Sequence, residues 1–282
     1  MKKIALSIKN DTEEGLSVAR KTVDILSEQG CMLYLPITDK KYIGDRESVY
    51  YLDESSVFYD AECVIVFGGD GSIMRTAHKT RLPILGVNLG RIGYIAELET
   101  NELQLLKELV NNNFSIEKRM MLNYLVEKNG EKTAEANVLN EVVLSKGGYS
   151  VMPEIELMCN GEEVGKYFAD GLICATPTGS TAYSLAAGGS IIDPGMECFG
   201  VSQICPQSFY AKPLIFGGTS VLKFKKGSRG HGKIVLTADG VFVCEIESGD
   251  IVTVKKSDVY AQLIKIKKNN FYSVMRSKMT EI

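Results

Sequence analysis

The chain has 282 residues, 45% hydrophobic and 24% charged, with a formal net charge of −3 at pH 7. That length supports one large or two ordinary domains with real cores, and the balance is that of a soluble globular protein. The mild acidity argues against non-specific nucleic-acid binding, no run reaches the roughly 20 apolar residues of a spanning helix, and with only His78 and His231 a His-rich metal site is excluded.

Seven cysteines, an odd number, occur without a C-x-x-C pair. Cys63, Cys159, Cys174 and Cys244 stand singly inside apolar runs, which predicts buried free thiols in a reducing cytoplasm. The opening M-K-K-I-A-L-S-I-K-N carries too short an apolar stretch for a signal peptide. The expectation is a cytoplasmic protein with no membrane or nucleic-acid partner.

In chain order, Ile4 to Ile8 predicts a first strand. Asp11 to Gln29 places Leu16, Val18, Ala19, Val23, Ile25 and Leu26 at helical spacing, and Gly30 ends it. Cys31 to Leu35 reads as a second strand, stopped by Pro36. Tyr42 to Tyr59 shows no clear period and reads as a loop with a helical turn. Val64 to Phe67 is a short β-branched run, expected as a strand buried on both faces. Gly68-Gly69-Asp70-Gly71 stops it, and Ser72 is the expected N-cap of a helix whose face carries Ile73, Met74 and Ala77. Pro83 to Asn88 is another strand. Asn88 to Glu97, N-L-G-R-I-G-Y-I-A-E, reads as a second loop at the same sheet edge or as a packing turn. Glu102 to Val110 reads as a helix. Strands alternating with helices predict a Rossmann-like α/β domain with a parallel sheet, residues 1–115.

Beyond Asn111-Asn112-Asn113 the pattern changes to short strands: Leu122 to Glu127, Val138 to Leu144, Ile155 to Met158, Gly171 to Ala175, Val221 to Phe224, Ile234 to Thr237, Val241 to Ile246 and Ile251 to Val254. Turns such as Asn160-Gly161 and Asp239-Gly240 separate them. This predicts an all-β second domain, residues 116–258, with one short helix near Ser180 to Ala187. Residues 259–282 form a tail expected to pack back on the first domain, with Phe271 to Met275 as a last element. Lys223, Lys225, Lys226, Arg229 and Lys233, interleaved with glycines, read as an exposed hairpin loop or as a patch attracting a polyanion.

Two constellations carry chemistry. The first is the strand, glycine turn and helix at Gly68 to Ala77. Glycines let the backbone approach a ligand, and the helix start aims N–H groups and a partial positive charge at it, as a phosphate requires. The turn is neither a Walker A loop nor a G-x-G-x-x-G dinucleotide loop. Asp70 within it either accepts a proton from an attacking hydroxyl, holds a phosphate-bridging metal, or is plain Asp-Gly turn chemistry. The second is D-G-L-I-C-A-T-P-T-G-S-T-A-Y-S-L-A-A-G-G-S-I-I-D-P, from Asp170 to Pro194. It offers hydroxyls for a ribose and small residues under a base, and Tyr183 can stack or hydrogen-bond. Upstream, Asn140-Glu141 interrupts an apolar strand with an amide able to read adenine, or marks a bulge or turn.

In order and spacing, Gly68-Gly69-Asp70-Gly71, Asn140-Glu141 and Asp170-Gly171 through Thr178-Gly179-Ser180-Thr181-Ala182-Tyr183 resemble the NAD kinase family, across nearly the whole chain. The glycine turn alone is shared with lipid kinases of the diacylglycerol type and with phosphofructokinases; the T-P-T-G-S-T-A-Y run is the specific part. The resemblance implies phosphorylation of the adenosine 2′-hydroxyl of NAD by ATP or polyphosphate, with a divalent metal, Mg²⁺, that no protein side chain is assigned to hold. It implies Asp70 as general base, Gly69 and Gly71 beside the phosphates and Arg75 nearby. Asn140 and Glu141 would contact adenine and ribose, and Asp170 the nicotinamide end. Thr178, Thr181, Ala182, Tyr183, Ser184, Leu185 and Ala186 would line the NAD site, with Cys205 as a wall. It also implies a homodimer or homotetramer. The chain departs from the family pattern at Ala186, at Gln207 after Pro206, and at Val241 after Asp239-Gly240. These replace peripheral polar groups and bear on affinity and on NAD-versus-NADH preference. A lipid or sugar kinase and a non-catalytic nucleotide sensor are the competing readings.

Overall fold

A computed structural model describes residues 1–8, 12–90, 93–148, 151–229, 232–268 and 271–279. The chain divides into two compact units, Met1–Lys118 with Ala261–Ile282, and Arg119–Tyr260.

The first unit is an α/β layer structure. Its strands β1 (Lys3–Ile8), β2 (Met32–Pro36), β3 (Val49–Leu52), β4 (Cys63–Phe67) and β5 (Ile84–Asn88) run parallel in the order β3-β2-β1-β4-β5. A short β6 (Leu98–Glu99) pairs with β5, and Leu263 of the chain's last strand pairs with Ile84. Every residue of β4 and β5 is buried, as their unbroken apolar runs require. The helices are α1 (Glu13–Glu28), α2 (Lys40–Ile43), α3 (Asp70–Lys79) and α4 (Leu106–Val110). In α1 the buried Leu16, Val18, Ala19, Val23 and Leu26 form one face, and Thr12 caps it by accepting from the Gly15 N–H at 3.2 Å. Its expected start, Asp11, lies outside the described residues. Gly30, at φ +71°, ends it: the Cys31 and Gly30 N–H groups close on Leu26 and Ser27 carbonyls.

Two expectations are corrected here. Residues 42–59 contain a strand, β3, whose V-Y-Y-L pairs with Leu33 to Pro36 of β2. The run from Glu102 to Val110 is a 3₁₀ turn, Leu103–Leu105, followed by the short α4.

The second unit is built of antiparallel strands. They are β7 (Ser115–Lys128), β8 (Glu131–Val138), β9 (Glu141–Lys146), β10 (Glu154–Cys159), β11 (Glu162–Phe168), β12 (Gly171–Ala175), β13 (Cys198–Ile204), β14 (Leu214–Gly217), β15 (Val221–Lys226), β16 (Ile234–Ala238), β17 (Val241–Ile246) and β18 (Ile251–Lys265). One sheet has the order β14-β13-β12-β9-β16-β17. The others form the ladder β11-β10-β15-β18 and the hairpin of β7 with β8. The first residues of β7 and the last of β18 belong to the first unit. A core including Leu144, Leu172, Phe199, Phe224, Leu236 and Val252 fills this unit. Among the described residues its one α-helix is the short α5 (Tyr183–Ala186), after a 3₁₀ turn at Gly179–Thr181. The expected strand from Val138 to Leu144 is two strands that break at Leu139 and Asn140. β11, β13 and β14 were not expected. The last element, α6 (Phe271–Met279), belongs to the first unit.

Candidate active site

In the first unit, the glycine turn follows β4. Gly68 takes φ +147°, which a side chain would resist, and its N–H bonds the Val87 carbonyl at 2.9 Å. The helix α3 then opens at Asp70, with Gly69 as N-cap and no side-chain cap. Ser72 is therefore not the cap that its sequence position suggested. It lies one turn in, its N–H on the Gly69 carbonyl and its hydroxyl accepting from the exposed Arg75 guanidinium at 3.1 Å. A carboxylate in the first turn of a helix is favoured by the helix dipole, so Asp70 is electrostatically at home there.

The side chain of Asp70 is fixed by the loop after β5. Its Oδ2 accepts from the Tyr94 N–H at 2.7 Å and its Oδ1 from the Ile95 N–H at 3.1 Å. Gly93 makes this approach possible: a Cβ there would stand 2.0 Å from Asp70 Oδ1. The loop from Asn88 to Glu97 is thus a clamp on the carboxylate; its Arg91 and Ile92 lie outside the described residues. Asn88 braces the loop, donating to the Gly90 carbonyl at 3.0 Å and to Glu99 at 2.9 Å. The Tyr94 ring leans on Phe271 of α6, with centroids 6.2 Å apart. Gly93→Ala is expected to push the carboxylate off its seat. Steady-state assay of that variant should show kcat lowered about 10²-fold, the usual cost of misplacing a reacting group by an ångström, with a cooperative melt retained.

In the second unit, antiparallel pairing brings three strand ends together. Glu141, at the start of β9, faces Ala175, at the end of β12, and Ala238, at the end of β16, faces Val142. The Asn140-Glu141 break, the Thr176 to Thr181 loop and Asp239 therefore meet. Asp239, in a two-residue hairpin turn at φ +46° beside Gly240 at +77°, is buried. Its carboxylate accepts from the N–H groups of Leu139 (2.7 Å), Asn140 (2.8 Å) and Glu141 (2.9 Å). Thr176 closes the other side: its hydroxyl donates to the Leu139 carbonyl at 2.6 Å and its N–H to the Asn140 carbonyl at 2.8 Å. Gly179 fits because a Cβ there would lie 2.2 Å from the Asn140 carbonyl oxygen.

This scaffold holds two polar side chains with an atom left over. Asn140 Oδ1 and Glu141 Oε2 are buried and have no hydrogen-bond partner among the described residues. Orphaned buried acceptors are costly, and a ligand that donates to them relieves that cost. Burial, reinforced by the Asp239 charge, pushes the Glu141 carboxyl up to about 7. Its folded value exceeds its unfolded one, so the native state binds more protons between about pH 4.5 and 7. Stability is then expected to fall as pH rises through that window, by on the order of 3 kcal/mol. Denaturant titrations across this range should show the decline in the parent protein and a flatter profile in Glu141→Gln.

The remaining expected residues lie in the same unit. Asp170 immediately precedes β12, with its carboxylate on Lys146 Nζ at 2.8 Å, and its N–H bonds the Ile204 carbonyl. Cys205 follows β13, exposed and at φ +43°. Thr178 is buried and accepts from Arg119 at 3.3 Å; the Thr181 hydroxyl donates to the Thr178 carbonyl. Along α5, Tyr183, Leu185 and Ala186 are exposed and Ala182 half-buried, leaving an open shelf. Ser184 points inward, its hydroxyl 3.0 Å from that of Ser202. Gly69, Asp70, Gly71 and Arg75 belong to the first unit and the others to the second.

The residues missed in sequence are those that position the others: Gly93, Tyr94 and Ile95 for Asp70, Asp239 for the Asn140-Glu141 turn, and Lys146 for Asp170. Asp239 carried a signal, an Asp-Gly pair closing a strand, but the signal reads equally as a hairpin turn.

With this geometry in view, the comparisons with known proteins are specific. Residues 4–114 match the model of the ATP-NAD kinase N-terminal domain and residues 139–266 that of the ATP-NAD kinase C-terminal domain. The NAD kinase of Syntrophotalea carbinolica is 36% identical over 99% of this chain and 98% of its own. That of Caldanaerobacter subterraneus subsp. tengcongensis is 34% identical over the full length of both. The crystal structure of yeast NADH kinase complexed with NADH shares the fold at a TM-score of 0.91 and 22% identity, over 99% of this chain and 88% of that one. An NAD kinase from Archaeoglobus fulgidus in complex with ATP does so at 0.74 and 21%, over 100% of each.

Proposed function

The chain belongs to the ATP-NAD kinase family, and from that premise we propose that it phosphorylates the adenosine 2′-hydroxyl of NAD with ATP to give NADP. The observation that carries the mechanism is the clamped carboxylate of Asp70 at the glycine turn opening α3. Phosphoryl transfer asks a protein for positioning, charge neutralisation and an oriented nucleophile. Asp70, held at both oxygens by backbone N–H groups, accepts the hydroxyl proton. The 2′-oxygen bonds the γ-phosphorus, the bond from that phosphorus to the β–γ bridging oxygen breaks, and ADP leaves with its electron pair. The N–H groups of the glycine turn and the start of α3 face the phosphates.

Asn140 Oδ1 accepts from the adenine amino group, and Glu141 Oε2 meets the ribose, which relieves both orphaned acceptors. Asp170 receives the nicotinamide end, and the shelf from Thr181 to Ala186, with Thr178 and Cys205, lines the rest. Among the described residues no three His, Cys, Asp or Glu side chains form a metal cage. Mg²⁺ would come with the donor's phosphates and would need only one or two carboxylates from the protein, for which Asp70 at the glycine turn is the candidate. The chemistry it would supply there is neutralisation of charge on the transferring phosphoryl group.

The reading includes a homodimer or homotetramer. The exposed Ile215, Val241 and Phe242 on the edge strands β14 and β17 are apolar surface of the sort an interface covers. It also includes a cytoplasmic location; no helix among the described residues is long and apolar enough to cross a membrane. Incubation with ATP and either NAD or diacylglycerol tests the reaction class. NADP and ADP in equal amounts are expected from the first pair and no lipid phosphate from the second; the reverse would assign a lipid kinase.

A further inference from the structure

The loop that clamps Asp70 is pinned again within two residues of the clamp. Tyr94 and Ile95 donate their N–H groups to the carboxylate. Ala96 packs onto Gly86 of β5, where a Cβ would lie 3.0 Å from the Ala96 Cα and 2.4 Å from Ile73 Cδ1 of α3. The Glu97 N–H bonds the Gly86 carbonyl at 3.0 Å. The Glu97 side chain is then left in the interior, buried, as a carboxylate rarely is without partners.

Its partners come from the segment that follows β18. That strand ends at Lys265, so the next N–H groups lie beyond its ladder and need other acceptors. Glu97 Oε1 accepts from Ile266 at 2.8 Å and from Lys267 at 2.6 Å, and Oε2 meets the Lys265 ammonium. Lys267 carries a second tie. Its Nζ bonds Glu102 at 2.7 Å, Glu102 accepts from the Glu99 N–H at 2.9 Å, and Glu99 accepts from Asn88 at the start of the loop. Phe271 of α6, against the Tyr94 ring, is a third. The start, middle and end of the loop thus bear on Lys265, Ile266, Lys267 and Phe271, all within the first unit.

A buried ion pair adds little stability over apolar residues of the same size, because desolvation offsets the attraction. What it adds is definition of place. Two main-chain donors and one ammonium on a single carboxylate fix the loop end against the segment to within a hydrogen-bond length.

We propose that Glu97 is a positioning residue for phosphoryl transfer: it ties the segment after β18 to the loop that seats Asp70. The proposal rests on the kinase reading above, in which Asp70 is the base, and adds what supports that base from outside the glycine turn.

The test is steady-state kinetics of the whole enzyme with ATP and Mg²⁺ saturating and NAD varied. Glu97→Ala is expected to lower kcat about tenfold or more and to leave KM for NAD within about twofold. Glu97→Gln keeps an oxygen for the two N–H groups and should recover most of that loss. In an Asp70→Asn background Glu97→Ala should change the residual rate less than about threefold, because the group it seats is gone. Equal losses in both backgrounds would show a general loosening and overturn the proposal. Phe271→Ala, at a half-buried position, loosens the same loop from its middle and serves where Glu97→Ala does not fold. Amide hydrogen exchange at Tyr94 and Ile95 should quicken in either variant, a readout that needs no turnover. Exchange and kcat unmoved in both would also overturn the proposal. A parent enzyme that makes no NADP, with exchange still quickened by Glu97→Ala, would end the kinase reading and leave Glu97 as the anchor of the loop.

Discussion

Asp70→Asn keeps the fold and NAD binding and lowers kcat by about 10²–10⁴-fold, the usual contribution of a positioned general base. The substitution is nearly isosteric, so the Tyr94 N–H retains an acceptor and α3 retains its polar first turn. What it removes is basicity at the atom that takes the hydroxyl proton. Glycine N–H groups, the helix start and donor-borne Mg²⁺ remain, which is why a residual rate is expected. Loss confined to kcat, with KM for NAD preserved, marks an interaction made in the transition state. A kcat within about threefold of the parent enzyme would remove Asp70 from the role of base.

Asp239→Ala is expected to have the largest effect on stability. Three backbone N–H groups close on one carboxylate, and all lie in the buried turn that presents Asn140 and Glu141. Removing that acceptor leaves donors without partners in a water-poor interior, each worth about 1–3 kcal/mol. A loss of roughly 3–5 kcal/mol is expected once the turn relaxes, read as a lower denaturant midpoint with an unchanged slope. Asp239→Asn should fall between, since one oxygen still accepts from Asn140 and Glu141 while the amide nitrogen opposes the Leu139 N–H. In any folded fraction of the alanine variant, the Glu141 carboxyl should titrate below its value of about 7, because one of its two causes is gone. A midpoint within error of the parent's would show that the turn holds itself.

These two residues also mark how far the sequence could be read. Asp70 stood out because everything that defines it is local: a buried strand, a glycine turn and a helix within fourteen residues of chain, from Val64 to Ala77. Its clamp did not stand out, because Tyr94 and Ile95 reach it from 24 and 25 residues away and contribute only backbone N–H groups. Asp239 is 100 residues from Leu139, and nothing local distinguishes it from a hairpin Asp-Gly. The same contrast holds for strands. β4 and β5 announce themselves because both faces are buried. β3 did not, since at the sheet edge its Tyr50 is 46% exposed and the run reads as polar and aromatic. β11, written E-E-V-G-K-Y-F, hides for the same reason. The opening of α3 was misread at Ser72 because a capping side chain is the visible signal, whereas Gly69 caps with backbone alone.

The most direct test of the account is the product itself. With ATP, Mg²⁺ and NAD, the phosphorus spectrum of the reaction mixture should gain one monoester resonance on the adenosine 2′-oxygen, in step with ADP, and Asp70→Asn should suppress it. Steady ADP release without that ester, or NAD bound tightly and never phosphorylated, would contradict it.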